Sequence, residues 1–140
     1  MADTQDYVNK LRHAYQLWND TKGASVQTWF ELFADDIVIR SLGNENARLD
    51  FAKGRKGKSE AEQYFADLGS SWEMVYFQPE DFIAQDDRVV VLSRVAFKSR
   101  ITGKVAQSPK ADIFRFRDGK IVEFIEFFDT AAAAAATQSA

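Results

Sequence analysis

The chain has 140 residues, is 46% hydrophobic and 14% aromatic with 12 Phe, and carries a formal net charge of −3. One domain of this length buries roughly 68% of the surface its unfolded chain exposes, and aromatics in such number fill a core or line an apolar pocket. The acidic balance argues against nucleic acid as a partner, the absence of cysteine removes disulfides, thiolate nucleophiles and sulfur-ligated zinc, and a single histidine, His13, removes the usual multi-histidine metal sites.

The N-terminal segment lacks the apolar core of a signal peptide, and no apolar run approaches the length of a membrane span, so a soluble cytoplasmic protein is expected. From Thr4 to Asn19, Val8, Leu11, Tyr15 and Trp18 recur at helical spacing and predict an amphipathic first helix, with His13 off the stripe in solvent. A turn at Thr21 to Gly23 leads to a second helix, Ser25 to Phe33, with Ser25 as N-cap and Trp29, Leu32 and Phe33 on its buried edge. Asp36 to Leu42 reads as a short strand with Ile37, Ile39 and Ser41 on one face.

Gly43 to Gly57 reads as a polar loop ending in the basic cluster Lys53, Arg55, Lys56 and Lys58, either a solvated run or a gate for an anionic ligand. Ser59-Glu60-Ala61-Glu62 spells a capping box and opens a third helix with Tyr64, Phe65, Leu68 and Trp72 inward. Strands follow at Met74 to Ala84, where Pro79 predicts a bulge or an edge, then Arg88 to Arg100, Val105 to Phe116 and Lys120 to Asp129. Short turns between them make a meander, and the whole predicts an α+β fold, a cone-shaped curved antiparallel sheet wrapped around N-terminal helices. Residues 131–140 form an Ala-rich tail with little to bury, expected to extend a terminal turn or fray within a single domain of residues 1–140.

The strongest local signal is the hairpin from Ala111 to Asp129, closed by Asp118-Gly119. Its first strand places Asp112, Phe114 and Phe116 on one face and Ile113, Arg115 and Arg117 on the other. A bulged turn with Gly119 left-handed would pair Phe116 with Lys120, set Glu126 across from Lys110, and bring it to within roughly 7–8 Å of Asp112 on the same face. A two-residue type I′ turn would instead put Ile121, Glu123 and Ile125 on that face and turn Glu126 outward.

The phrase from Asp112 to Asp129, with Leu32-Phe33-Ala34-Asp35-Asp36, resembles the SnoaL-like and ketosteroid-isomerase-like branch of the nuclear transport factor 2 superfamily. The resemblance implies the same cone. It places Ser41 where ketosteroid isomerases hold the proton-moving aspartate, which makes steroid isomerisation by that mechanism unexpected, since a lone serine is no general base. It places Asp112 where those enzymes hold the protonated acid that stabilises the enolate, and Glu126 where SnoaL-like cyclases hold the acid-base aspartate. The triad of limonene epoxide hydrolases is incomplete, because Arg94 is followed two residues on by Ala96.

The expected site is therefore Asp112 and Glu126 in a cleft lined by Tyr15, Trp18, Phe33, Ser41, Tyr64, Phe97, Phe114, Phe124 and Phe128. Repulsion and desolvation would leave one acid holding a proton and the other acting as a base, suited to moving a proton beside a carbonyl of a hydrophobic or polyketide-like compound, with no cofactor and no metal. Two other uses of the fold stay open: a non-catalytic ligand binder and a protein-binding module. The competing reading of the residues is a rim ion pair between Lys110 and Glu126, with Asp112 hydrogen-bonded to Tyr15 or Trp18. On the outward face Val90, Leu92, Ala96, Ile113, Ile125 and Phe127 among Arg94, Lys98, Arg115 and Glu123 suit a symmetric homodimer.

Overall fold

The computed structural model describes residues 4–43 and 48–138. Parts of the polar loop and the last two residues of the tail lie outside the described residues. Helix α1, Thr4–Asp20, buries Tyr7, Leu11, Tyr15 and Trp18, a stripe set by steps of four and three residues. Helix α2, Val26–Leu32, buries Trp29 and runs directly into strand β1, Phe33–Ser41. A 3₁₀ turn at Asp50–Ala52 and a two-residue strand β2, Arg55–Lys56, precede helix α3, Gly57–Ser71. Strands β3, Trp72–Gln85, β4, Arg88–Ser99, β5, Val105–Arg117, and β6, Lys120–Phe128, follow, and helix α4, Thr130–Ala136, closes the chain.

The strands form one sheet in the order β2-β1-β6-β5-β4-β3, antiparallel except for the β1–β6 pair. This is the expected mixed α+β architecture: a curved, open six-stranded sheet with the helices packed on it. β3 is an edge strand with bulges after Met74 and after Pro79, where a ring without an N–H is tolerated. Among the described residues no helix is long and apolar enough to cross a membrane.

Several local expectations are corrected. Ser25 is the N-cap of α2 by position but makes no side-chain cap hydrogen bond, its hydroxyl being buried without a partner among the described residues. The third helix begins two residues before Ser59; instead of a serine cap, Glu60 Oε1 accepts the Lys56 N–H at 3.0 Å. The alanine tail is helical from Thr130 because Asp129 Oδ1 caps it, accepting the Ala132 N–H at 2.9 Å, and because the methyls of Ala133 and Ala136 are buried. Ala96, expected outside, is buried between Tyr76 and Gln107 on the flanking strands.

The hairpin register differs from both sequence readings. Asp118 and Gly119 have φ of 51° and 79°, the pair of positive values that a two-residue type I′ turn needs, so Arg117 pairs with Lys120 and Phe116 with Ile121. Val122 is then an extra residue, a bulge between Ile121 and Glu123 that resets the alternation. Beyond it Phe114 pairs with Phe124, Asp112 with Glu126 and Lys110 with Phe128. The turn alone would have sent Glu126 outward, and the bulge returns it to the helix-covered face.

Candidate active site

Asp112 and Glu126 are directly opposed residues on neighbouring central strands, each only 1% exposed. Burying two acids side by side needs compensation. Lys110, two residues before Asp112 on the same face of β5, supplies it: its Nζ lies 2.5 Å from Asp112 Oδ1 and 3.2 Å from Glu126 Oε1, and its side chain is 8% exposed. The ammonium also sits over the rings of Phe77 and Phe124, 5.3 and 5.5 Å from their centroids. Lys110 is thus neither across from Glu126 nor at a rim.

Two helices close the arrangement from above. Tyr15, on the inner stripe of α1, donates its hydroxyl to Asp112 Oδ2 at 2.5 Å, and Tyr64, on the inner stripe of α3, donates to Glu126 Oε1 at 2.9 Å. Burial, and next the facing carboxylate (Asp112 for Tyr15, Glu126 for Tyr64), hold both phenols well above their ordinary range. For Lys110 burial is the largest single influence and pushes the ammonium down, but the two carboxylates together outweigh it and the net direction is up. Lys110 is therefore an ammonium and a poor candidate for the neutral amine that imine chemistry needs.

Both Asp112 oxygens accept hydrogen bonds, and Glu126 Oε1 accepts from Tyr64. Among the described residues Glu126 Oε2 and Trp29 Nε1 are buried with no hydrogen-bond partner. Both residues line one cavity of about 90 Å³.

Of the sequence-predicted residues, Asp112, Glu126, Tyr15, Trp18, Phe33, Tyr64, Phe97, Phe114, Phe124 and Phe128 all line this cavity. Ser41 does not: it ends β1 beside Glu126, and its hydroxyl accepts the Gly43 N–H at 3.4 Å, so it serves the following turn. Lys110, Trp29, Phe51 and Phe77 also line the cavity. Trp29 was signalled by its place on the α2 stripe, but its unmatched N–H depends on packing against Tyr15 and Trp18, which sequence spacing does not show. The basic cluster does not converge on the cavity: Arg55 is buried and holds Asp67 at 2.6 Å, and Lys58 lies 3.7 Å from Asp35.

The curved sheet with helices packed over it is the fold of the NTF2-like solved structures named below. Residues 11–124 match the family model described as a SnoaL-like domain, and the chain belongs to that family. The match stops two residues short of Glu126. No curated protein matches the chain. Among solved structures it is similar to a protein of unknown function from Burkholderia pseudomallei, at 20% identity with a TM-score of 0.81 over 94% of this chain and 97% of that one. It is also similar to an NTF2-like protein from Burkholderia thailandensis, at 24% identity with a TM-score of 0.80 over 99% of each chain. A candidate SnoaL-like polyketide cyclase from Jannaschia matches at 18% identity and 0.77, over 96% of this chain and 92% of that one. At these identities the likeness concerns the fold.

Proposed function

We propose that the chain is a small-molecule acid-base catalyst of the isomerase or cyclase type, acting on an apolar carbonyl compound, with Glu126 as the base. The observation that carries this reading is the buried Glu126 Oε2, an acceptor with no partner among the described residues, in an aromatic cavity that also holds the unmatched Trp29 N–H. A carbonyl compound satisfies both at once. Its oxygen takes the Trp29 N–H and the remaining donor of Lys110, while Oε2 takes the proton from the adjacent carbon. Negative charge developing on the oxygen is met by an ammonium fixed in place beforehand.

In this reading Asp112 is a positioning residue. Its two oxygens hold Lys110 and Tyr15, so the donor role that resemblance gave it passes to Lys110 and Trp29. A second reading, a binder without turnover, is favoured by the way Lys110 ties both acids into a closed network. Ligand binding is common to both. A panel of uncharged aryl ketones should raise the melting temperature, with a stabilisation that grows with the logarithm of ligand concentration over its dissociation constant. If saturating amounts of a varied panel leave it unchanged, neither reading stands.

A further inference from the structure

The cavity that holds Glu126 has a far end. Four residues on one face of β5, Asp112, Lys110, Ser108 and Ala106, all line it, so it follows that strand for roughly 20 Å at about 3.3 Å per residue. Its lining is buried around Asp112 and half-buried towards Ala106 and the ladder partner of that residue, Phe97. Helix α4 lies over this end, for Ala133 and the N-cap residue Asp129 are lining residues too.

The attachment of α4 is slight for the wall of a cavity. The six residues after Thr130 are all alanine; the methyls of Ala133 and Ala136 are buried, while Ala131 and Ala135 are exposed. Polar tethers do the rest. Ser108 Oγ accepts the Asp129 N–H at 2.9 Å, Thr102 Oγ1 donates to Ala136 O at 2.5 Å, and Lys104 Nζ donates to Gln138 O at 2.5 Å. A helix this short does not persist in water by itself, so it opens more readily than β5 beneath it, which is paired with β4 and β6 on its two sides.

Covering the end of a core is a task α4 would have without any ligand, and alanine is the strongest helix former. That task does not account for the space under Ala133. A leucine there would extend into the cavity and gain contact with its aromatic wall, whereas the methyl leaves those surfaces without partner atoms. We infer that α4 is the door of the cavity: it lifts from the start of β5 to admit an apolar ligand and closes over it. This rests on the cavity's taking such a ligand, which both readings of the function share.

The chain has no cysteine, so one introduced thiol reports access to the cavity. Val95→Cys places it in the cavity lining, and Val89→Cys places it in the core of the same strand, away from that lining. With iodoacetamide, a neutral reagent, the first should react about 10²-fold faster than the second, because one needs only α4 to open and the other the whole sheet. Adding A131G/A135G, at two exposed positions where glycine weakens the helix without removing packing, should speed the cavity thiol about tenfold. The neutral dye N-phenyl-1-naphthylamine should slow that reaction. In the A131G/A135G chain the dye should bind and leave about tenfold faster, with its dissociation constant within about twofold, since the glycines weaken the closed helix equally with and without ligand.

Cavity and core thiols that react at one rate, or a cavity thiol indifferent to A131G/A135G, overturn the door. Thiol rates as expected with a dye that does not bind keep the opening of α4 and remove the apolar-ligand reading. If Val95→Cys does not fold, hydrogen exchange in the unsubstituted chain decides: α4 amides about 10²-fold faster than those of β5 and slowed by the dye support the door, and α4 amides as slow as those of β5 overturn it.

Discussion

Asp112 and Glu126 face each other across the β5–β6 ladder with the Lys110 ammonium 2.5 Å from one and 3.2 Å from the other. A buried triad of this kind is weak evidence of stabilisation, since an apolar replacement of all its members would fill the same space. Breaking it is another matter. Lys110→Met leaves two acids facing each other without a cation and should destabilise the chain by about 3–5 kcal/mol in urea denaturation. K110M/D112N/E126Q should recover a large part of that loss. A single K110M variant as stable as the wild type would mean that the lysine is not the element balancing the pair.

Alkaline pH attacks the same network. Tyr15, Tyr64 and Lys110 all have folded values displaced upward. In each case the folded state keeps its proton after the unfolded state has begun to lose it. Stability is therefore fully present below the unfolded values, near pH 10 for tyrosine and about 10.4 for lysine, and falls as pH rises from there through the folded values. Urea midpoints should be flat between pH 8 and 9 and drop steeply above about pH 10. Phenolate absorbance should show Tyr15 and Tyr64 ionising only as the chain unfolds. If all four tyrosines of the chain ionise while it is still folded, the burial of these two hydroxyls is wrong.

The outward face of the sheet carries a continuous apolar row. Leu92, Ala111 and Phe127 are cross-strand neighbours on β4, β5 and β6, with Leu92 37% and Phe127 39% exposed, and Val90, Ile113 and Ile125 form the next row. Arg94 and Glu80 lie at one end, while Arg40, Glu123 and Arg115 lie at the other. We expect this face to be covered by a second copy of the chain, an isologous contact in which charges of both signs meet their opposites. Sedimentation at micromolar concentration should give a dimer, and Ile125→Asp should give a monomer with unchanged secondary structure. A wild-type monomer contradicts the expectation.

How legible all this was in the sequence depends on the distance over which each feature is decided. Helices α1 and α3 and strands β3 to β6 follow from periodicity and turn residues, because a stripe such as Tyr7, Leu11, Tyr15 and Trp18 is written in local spacing. The hairpin turn was equally local, yet its register was not. Asp118-Gly119 fixes the type I′ turn, but the bulge at Val122 is set by the need to bury Ile121, Val122 and Phe124 together, which only the packed sheet imposes.

The site divides in the same way. Asp112 and Phe114 follow from alternation along β5, and Tyr15, Trp18 and Tyr64 from helical spacing, whereas the inward turn of Glu126 depends on the bulge at Val122. Lys110 was visible on that face, but its long side chain could have reached solvent, and nothing local shows that it folds inward over Phe77 and Phe124. Ser41 was placed in the cleft by alignment with a family position and is instead spent on the turn to Gly43. The helix of the alanine tail was readable in Asp129, an N-cap residue three positions before the N–H that it accepts.

The central claim is that Glu126 Oε2 takes a proton from carbon inside the cavity, and the most direct measurement is deuterium wash-in at the methyl group of acetophenone, followed by NMR in deuterium oxide. Wild-type protein should accelerate exchange over buffer, and Glu126→Gln should lower the protein-dependent rate by about 10²–10⁴-fold, the span of general-base catalysis. Asp112→Asn, which disturbs only the support of Lys110 and Tyr15, should lose less. Glu126→Gln must still bind acetophenone for the comparison to hold, since the amide keeps the shape of the carboxyl. Exchange in Glu126→Gln as fast as in the wild type, or wild-type exchange no faster than buffer, contradicts the account.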